Sequence, residues 1–218
     1  MEHIEAGSRA FKDSLYQHIA KVGKSLSSDK RLELLHLLSQ GPKSVEHLAA
    51  TTGSGLANIS KHLQVLVESR LVKNRKQGTY IYYELASPVI AELLHALWHV
   101  AESQSADIRT LKESLSDQFQ DVQTLDLNEL KEKMNNGSVI LIDVRPKEEF
   151  EAAHIPGAIS IPLSDLEDIM STLPLNIHIA AYCRGPYCVY AAQAARYLNE
   201  HGYQAFRVEE GVYEWQQG

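Results

Sequence analysis

Cysteine is nearly missing from this chain: there are two among 218 residues, Cys183 and Cys188, both near the carboxyl end. That excludes a structural disulfide framework and any thiolate metal site before position 183, and it favours local thiol chemistry. Long apolar runs are also missing. No stretch approaches the roughly 20 residues a membrane-crossing helix needs. The opening MEHIEAGSRAFKDSLYQHIA is a mixed polar segment, unlike a signal peptide. A cytoplasmic location with no membrane partner is therefore expected. With only 12 Gly and 7 Pro, collagen-like and low-complexity classes are excluded, and 44% hydrophobic against 22% charged residues indicates globular domains.

Positive charge is short overall, at net −7, but not evenly so. Residues 1–100 hold 12 Lys+Arg against 9 Asp+Glu, a net of +3, whereas residues 101–218 hold 9 against 19, a net of −10. A mildly basic front joined to an acidic back reads as a part that faces nucleic acid followed by a part that stays away from it.

The front half has helical periodicity. Leu15, Ile19, Val22 and Leu26 form one run, and Leu32 to Leu38 form a second that closes at Gly41-Pro42. Ser44 is placed to cap a short helix Val45–Ala50. After Gly53-Ser54-Gly55, Leu56, Ile59, Leu63 and Leu66 make an apolar stripe whose other face carries Asn58, Ser60, Lys61, His62 and Gln64, donors suited to base edges and phosphates. Two short helices around a glycine turn are a helix-turn-helix. The period then changes to alternation in Leu71–Arg75 and Thr79–Leu85, a hairpin with Lys76-Gln77-Gly78 as its basic tip. Ser87-Pro88 opens another helix, and Ile108, Leu111, Leu115, Phe119 and Val122 allow a further one able to pair with its own copy.

The strings Ile59-Ser60-Lys61-His62-Leu63, Leu71-Val72-Lys73-Asn74-Arg75 and Gly78 to Tyr83 resemble the winged helix-turn-helix of ArsR-type transcriptional repressors. The resemblance implies a homodimer that represses by occupying a double-stranded DNA operator. Base contacts are then expected from Asn58, Ser60, Lys61 and His62, with Gln64 on the same DNA-binding face, and phosphate contacts from Lys73, Arg75 and Lys76. The family's Cys-x-Cys metal site is absent. The remaining metal candidate is His95, His99 and Glu102, with Glu92 nearby, on the dimer helix. A solvated or dimer-packed face is the preferred reading, so no metal and no other cofactor is expected.

The back half interleaves apolar strands, Val139–Val144, Ile159–Pro162, Ile177–Tyr182 and Ala205–Val208, with helices, which indicates a mainly parallel sheet covered on both faces. Cys183 stands where a buried strand ends and a helix soon begins, so loop and helix amides converge above its sulfur and favour a thiolate or persulfide. Leu141 to Pro146, His154 to Pro162, Tyr182 to Cys188 and Glu210 to Trp215 together resemble a rhodanese, a sulfurtransferase fold.

That resemblance implies Cys183 as the nucleophile taking sulfane sulfur from a donor to a thiol acceptor. Arg184 would favour anionic donors such as thiosulfate or polysulfide, and Gly185, Pro186, Tyr187 and Val189 would cradle the persulfide. The six-residue loop matches sulfur-handling members of the family. Asp143 and Arg145 are read as a loop-tying ion pair and His154 as structural support. Cys188 departs from the family pattern. It is a resolving thiol that releases sulfide and leaves a disulfide, a second holder of the sulfur in a polysulfide bridge, or a small buried apolar residue.

The chain is thus expected to be two domains. Residues 1–102 form a mainly α winged helix-turn-helix for DNA binding and dimerisation, 103–123 a helical linker, and 124–218 an α/β rhodanese-like parallel sheet. The joined reading is a repressor whose operator affinity follows the thiol state of Cys183. Two others stay open: a sulfurtransferase tethered to a DNA-binding dimer that answers another signal, and a catalytically silent partner-binding module.

Overall fold

The computed structural model describes residues 2–217, with side chains from residue 9 onward. The chain divides into two compact units, the first ending at Val100 and the second beginning at Ala101.

The first unit opens with α1 (Glu2–Leu26) and α2 (Asp29–Ser39), the latter capped by the Ser28 hydroxyl, which accepts from the Arg31 amide. Ser44 ends the short β1 (Lys43–Ser44) and caps α3 (Val45–Thr51) by accepting from the His47 amide. Gly53, at φ 61°, turns the chain into α4 (Leu56–Glu68). β2 (Val72–Gln77) and β3 (Tyr80–Leu85) pair antiparallel, and β3 also pairs with β1, giving the order β1-β3-β2. The register Gln77↔Tyr80 leaves Gly78-Thr79 as a two-residue turn, with Gly78 at φ 62°. The expected tip at 76–78 therefore moves toward the carboxyl end, because a two-residue hairpin demands a left-handed position that glycine adopts without cost. Leu34, Leu35, Leu48, Ile59, Leu63, Leu66 and Leu94 are buried around one core. From α5 (Val89–Gln104) only Ile90 and Leu94 are fully buried, while Val89, Leu93 and Val100 are exposed, as are Phe11, Leu15, Tyr16 and Ile19 of α1.

The second unit contains α6 (Ala106–Gln118), β4 (Thr124–Leu125), α7 (Leu127–Asn135), β5 (Val139–Asp143), α8 (Lys147–Ala152), β6 (Ile159–Ser160), α9 (Leu166–Ile169), β7 (His178–Tyr182), α10 (Tyr190–Glu200), β8 (Ala205–Val208) and α11 (Val212–Gln217). Its sheet runs β4-β8-β7-β5-β6, and every pairing is parallel. Both faces are buried, as the unbroken apolar strands require. Along β7 and just beyond, Ile179, Ala181 and Cys183 join the core under α10, while Ala180 and Tyr182 join the opposite core with Leu130 and Leu141. Period-two alternation thus decides on which face Cys183 lies.

The stripe on and after α6 is used within this unit. Leu115, Phe119 and Val122 pack into the core under α10, and Leu111 stays exposed. Arg196 of α10 lies 4.4 Å over the Phe119 ring and bonds Asp121 and the Gln118 carbonyl. Among the described residues, no helix is long and apolar enough to cross a membrane.

Candidate functional sites

Helix α4 buries Ile59, Leu63 and Leu66 and leaves Asn58, Ser60, Lys61 and Gln64 exposed, with His62 half-buried on its flank. The stripe fixes this: residues three and four apart share the buried face, so the intervening polar positions turn outward. Arg75 and Lys76 are exposed near the hairpin tip. Lys73 differs in that its ammonium lies 3.5 Å from Glu84, its cross-strand partner, so part of its charge is already matched.

In the second unit, β7 ends at Tyr182 and α10 begins at Tyr190, and the intervening loop carries Cys183 to Val189. Cys183 and Cys188 are joined by a disulfide with their Cα atoms 6.2 Å apart. Cys183 is only 1% exposed, and Cys188 packs half-buried on the same core. In this form neither sulfur is a nucleophile. The sequence points to a thiolate at the loop mouth; in the structure the Cys183 side chain is bonded to Cys188 and buried in the core under α10, where the alternation of β7 places it. Within the loop, Gly185 takes φ 120° and its carbonyl accepts from the Cys188 amide at 3.0 Å. Gly211 supports the loop from beneath. A Cβ there would stand 3.1 Å from the Arg184 carbonyl carbon, the Cys183 oxygen and the Gly185 nitrogen. Only glycine admits so close a backbone approach without displacement.

The charges around the loop are paired. Arg184 donates to Glu149 through Nε at 2.9 Å and Nη2 at 2.8 Å, and the Glu149 side chain is fully buried. The positive charge expected at the mouth is therefore met by a carboxylate. Arg145 forks onto Asp143, with Nε to Oδ1 at 2.9 Å and Nη2 to Oδ2 at 2.6 Å, and also donates to the Ala153 carbonyl at 2.8 Å. Tyr182, the residue before Cys183, donates to Asp143 at 2.5 Å and accepts from the Ile155 amide at 3.1 Å. Burial, followed by the adjacent Asp143, holds the Tyr182 phenol well above its ordinary pKa, so it stays a donor. This network ties the ends of β5 and β7 to residues 153–155. His154 itself is exposed, stacked 3.9 Å from the Phe150 ring, with Nδ1 2.9 Å from the Phe150 carbonyl.

Comparison with known proteins follows the same division. The family description "Bacterial regulatory protein, arsR family" matches residues 28–74, and "Rhodanese-like domain" matches residues 126–218. HTH-type transcriptional regulator Rv0324 of Mycobacterium tuberculosis is 39% identical over 210 residues, covering 96% of this chain and 92% of that protein. The chain belongs to the ArsR family, in a form that carries a rhodanese-like domain. The putative sulfurtransferase YtwF of Bacillus subtilis is 33% identical over 88 residues, 40% of this chain and 84% of that protein. Among solved structures, the homodimeric winged helix-turn-helix DNA-binding domain Mb0332 of Mycobacterium bovis is 39% identical. It covers 43% of this chain and 86% of that one, with a TM-score of 0.41.

In this ArsR-family chain the metal candidate His95, His99 and Glu102 does not assemble. Among the described residues, no group of three or more His, Cys, Asp or Glu is placed to hold a metal ion. The Glu102 carboxylate instead accepts from Lys112 Nζ at 2.8 Å and from the Tyr187 hydroxyl at 3.0 Å, and His95 stands edge-on to Trp98. An ammonium and a phenol now occupy the oxygens a metal would use.

Sequence reasoning assigned no role at the loop to Glu149, Glu102 or Gly211. Glu149 carried a signal, being a carboxylate beside Phe150 on a short helix, where a buried acid requires a cation and the loop offers only Arg184. Glu102 lies 85 positions from Tyr187, and nothing local in the sequence marks that contact.

Proposed function

We propose that this protein is a homodimeric DNA-binding repressor whose rhodanese-like domain takes up sulfane sulfur at Cys183 and reports it to the operator through the Cys183–Cys188 couple. The observation that carries the reading is the disulfide itself. The chain's only two cysteines are bonded to each other across the loop where a rhodanese-type nucleophile sits, in a protein whose other unit presents a donor-rich helix and a basic hairpin.

The chemistry balances with sulfane sulfur as the oxidant. The Cys183 thiolate attacks the outer sulfur of a polysulfide or an organic persulfide, the S–S bond of the donor breaks, and a thiolate leaves, so that Cys183 carries a persulfide. The Cys188 thiolate then attacks Cys183 Sγ, and hydrosulfide departs as the disulfide forms. Thiosulfate enters the same cycle with sulfite as leaving group. Because Arg184 is matched by Glu149, the loop has little spare positive charge for a dianion, which favours an organic persulfide over thiosulfate. Two thiol equivalents then reduce the disulfide through a mixed disulfide and leave as their own disulfide, returning Cys183 and Cys188 to thiols. Exposed Phe11, Leu15, Tyr16 and Ile19 on α1, and Val89 and Leu93 on α5, supply apolar surface for a second copy.

The test selects binding sites from a random DNA pool with the reduced protein. It then measures affinity at one fixed salt concentration for reduced, disulfide and polysulfide-treated forms, beside Cys183→Ser and Cys188→Ser. A thiol-state difference of about tenfold or more, abolished in Cys183→Ser, is expected. Equal affinity in every state overturns the reading. Sulfur-transfer turnover with unchanged DNA binding would leave a tethered enzyme, and no turnover at all a silent module.

A further inference from the structure

We propose that Glu102 is a positioning residue for the Cys183–Cys188 couple: by holding Tyr187, it ties the closed loop to the last turn of α5 and lets that helix sense the thiol state. This rests on the reading that the two thiols cycle, and it names the contact through which the cycle acts.

Tyr187 is the residue immediately before Cys188, so the phenol and the second sulfur move together. Its hydroxyl donates to Glu102 Oε2 at 3.0 Å. Glu102 is not a loose surface carboxylate. Lys112 of α6 holds its other oxygen at 2.8 Å, and Arg109 Nη1 donates to the carbonyls of Glu102 and Ser103 at 3.0 and 2.9 Å, closing the end of α5. α6 is in turn anchored at its far end, where Phe119 and Val122 enter the core and Arg196 of α10 bonds Asp121. The carboxylate is therefore fixed from behind, and a displacement of Tyr187 must break the bond rather than drag Glu102 along. Glu102 belongs to the second unit, but α5 begins at Val89 in the first.

Reduction supplies the displacement. A dithiol gives two electrons and two protons to the disulfide, the S–S bond breaks, and two thiols replace it. The bond that holds the two Cα atoms 6.2 Å apart is then gone, and residues 184–187 are free to relax. In the disulfide form the bond to Glu102 is made; in the dithiol form Tyr187 leaves it. Stabilising one redox form through Glu102 and restraining α5 in that form are two sides of a single linkage. Both partners favour the bonded state at neutral pH. The Tyr187 phenol is raised above its usual pKa by burial and by Glu102, and the Lys112 ammonium is raised chiefly by its hydrogen bond to Glu102, so the trio holds a neutral hydroxyl, a carboxylate and an ammonium.

The experiment uses the full chain and two variants away from the cysteines, Glu102→Ala and Lys112→Met. Each is equilibrated in dithiothreitol redox buffers, and the disulfide fraction is read by thiol alkylation and mass. Hydrogen exchange of peptides covering residues 89–104 is measured in the fully reduced and fully oxidised forms. In the unaltered chain, α5 should exchange more slowly when oxidised. In Glu102→Ala the disulfide should still form but reduce about five- to 30-fold more readily, the size of one hydrogen bond to a charged group at a half-exposed site. The redox difference in α5 exchange should vanish. Lys112→Met should give a smaller change in the same direction. The proposal is overturned if α5 exchange in the unaltered chain ignores the redox state, or if Glu102→Ala keeps the full difference. Polysulfide treatment read by mass is the separate check on the functional reading: absence of sulfur on Cys183 sinks that reading while leaving the dithiothreitol experiment interpretable.

Discussion

Removing Arg184 while leaving Glu149 in place is the sharpest perturbation available at the loop. The Glu149 side chain has no solvent exposure and that of Arg184 has 11%, and two hydrogen bonds at 2.8 and 2.9 Å join them. In Arg184→Ala the buried carboxylate loses its two-bond partner, while Arg145, whose charge also acts on Glu149, stays forked onto Asp143. Breaking a buried pair this way costs about 3–5 kcal/mol, far more than the pair contributes net. For a unit of this size, 1 kcal/mol corresponds to roughly 3–5 °C in Tm, so the transition of residues 101–218 should fall by about 10–20 °C. The first unit's transition should stay where it is. The assay is differential scanning calorimetry of the full chain under oxidising conditions, with transitions assigned by hydrogen exchange on peptides from each unit. The double variant Glu149→Leu with Arg184→Met should recover most of the loss, because replacing both charges by apolar groups of similar volume removes the unmatched desolvation. A drop under about 3 °C for Arg184→Ala, or a double variant as unstable as the single one, would refute the view that Arg184 serves Glu149 before it serves any donor anion.

Gly211→Ala should destabilise the second unit by about 1–3 kcal/mol in urea titrations and change the rate of disulfide closure, since its Cβ would stand 3.1 Å from three backbone atoms of the loop that cannot rotate away. Lys61→Ala and Lys76→Ala should each lower the slope of log affinity against log salt by about 0.9, measured on one DNA site across a salt series; unchanged slopes would remove them from the phosphate contacts. Glu210 titrates above its usual range, first through burial and then through Glu209, Glu214 and Asp126, and its Oε2 has no hydrogen-bond partner. Because its folded pKa is raised, its favourable contribution is complete below the unfolded carboxylate range and is lost as pH rises through the folded value. Glu210→Gln should therefore stabilise the chain at pH 7, by under about 1 kcal/mol for a partly hydrated group, and make no difference near pH 3. An equal gain at both pH values would show that charge is not the cause.

What the sequence made legible follows the range of the forces involved. Caps are local, and Ser28 and Ser44 start their helices where a hydroxyl can reach an amide three residues on. Periodicity is also local: the stripe of Ile59, Leu63 and Leu66 determines which side of α4 faces outward, and the unbroken apolar strand Val139–Asp143 signals a sheet buried on both faces. The two-residue strands Lys43–Ser44 and Thr124–Leu125 were invisible because a bridge of that length exists only through its partner, Tyr82-Tyr83 in one case and Arg207-Val208 in the other. Charge pairing around the cysteines was equally hidden. Arg184 and Glu149 are 35 residues apart, and no spacing rule reaches that far. The stripe Leu115, Phe119 and Val122 shows the opposite failure, a clear helical pattern whose partner could have been a second chain and is instead the core beside α10.

The strength of the Tyr187–Glu102 contact bounds what a sulfur signal could do at the operator. One hydrogen bond to a carboxylate at a half-exposed site contributes about 1–2 kcal/mol, and two protomers acting together about 2–4 kcal/mol. At 1.4 kcal/mol per decade, that is roughly a 30- to 700-fold change in affinity. Driving an occupancy from 99:1 to 1:99 takes about 5.5 kcal/mol, more than this contact supplies. The response should therefore be graded, with partial release at intermediate sulfane sulfur. Linkage also runs backward: DNA that favours one thiol state must shift the disulfide equilibrium by the same factor by which that state shifts DNA affinity. Measuring the reduction equilibrium with and without a selected DNA site at fixed salt gives the coupling independently of any binding titration. The two numbers must agree within error. If DNA leaves the reduction equilibrium unmoved, thiol state and DNA binding are not coupled and α5 carries no signal between them.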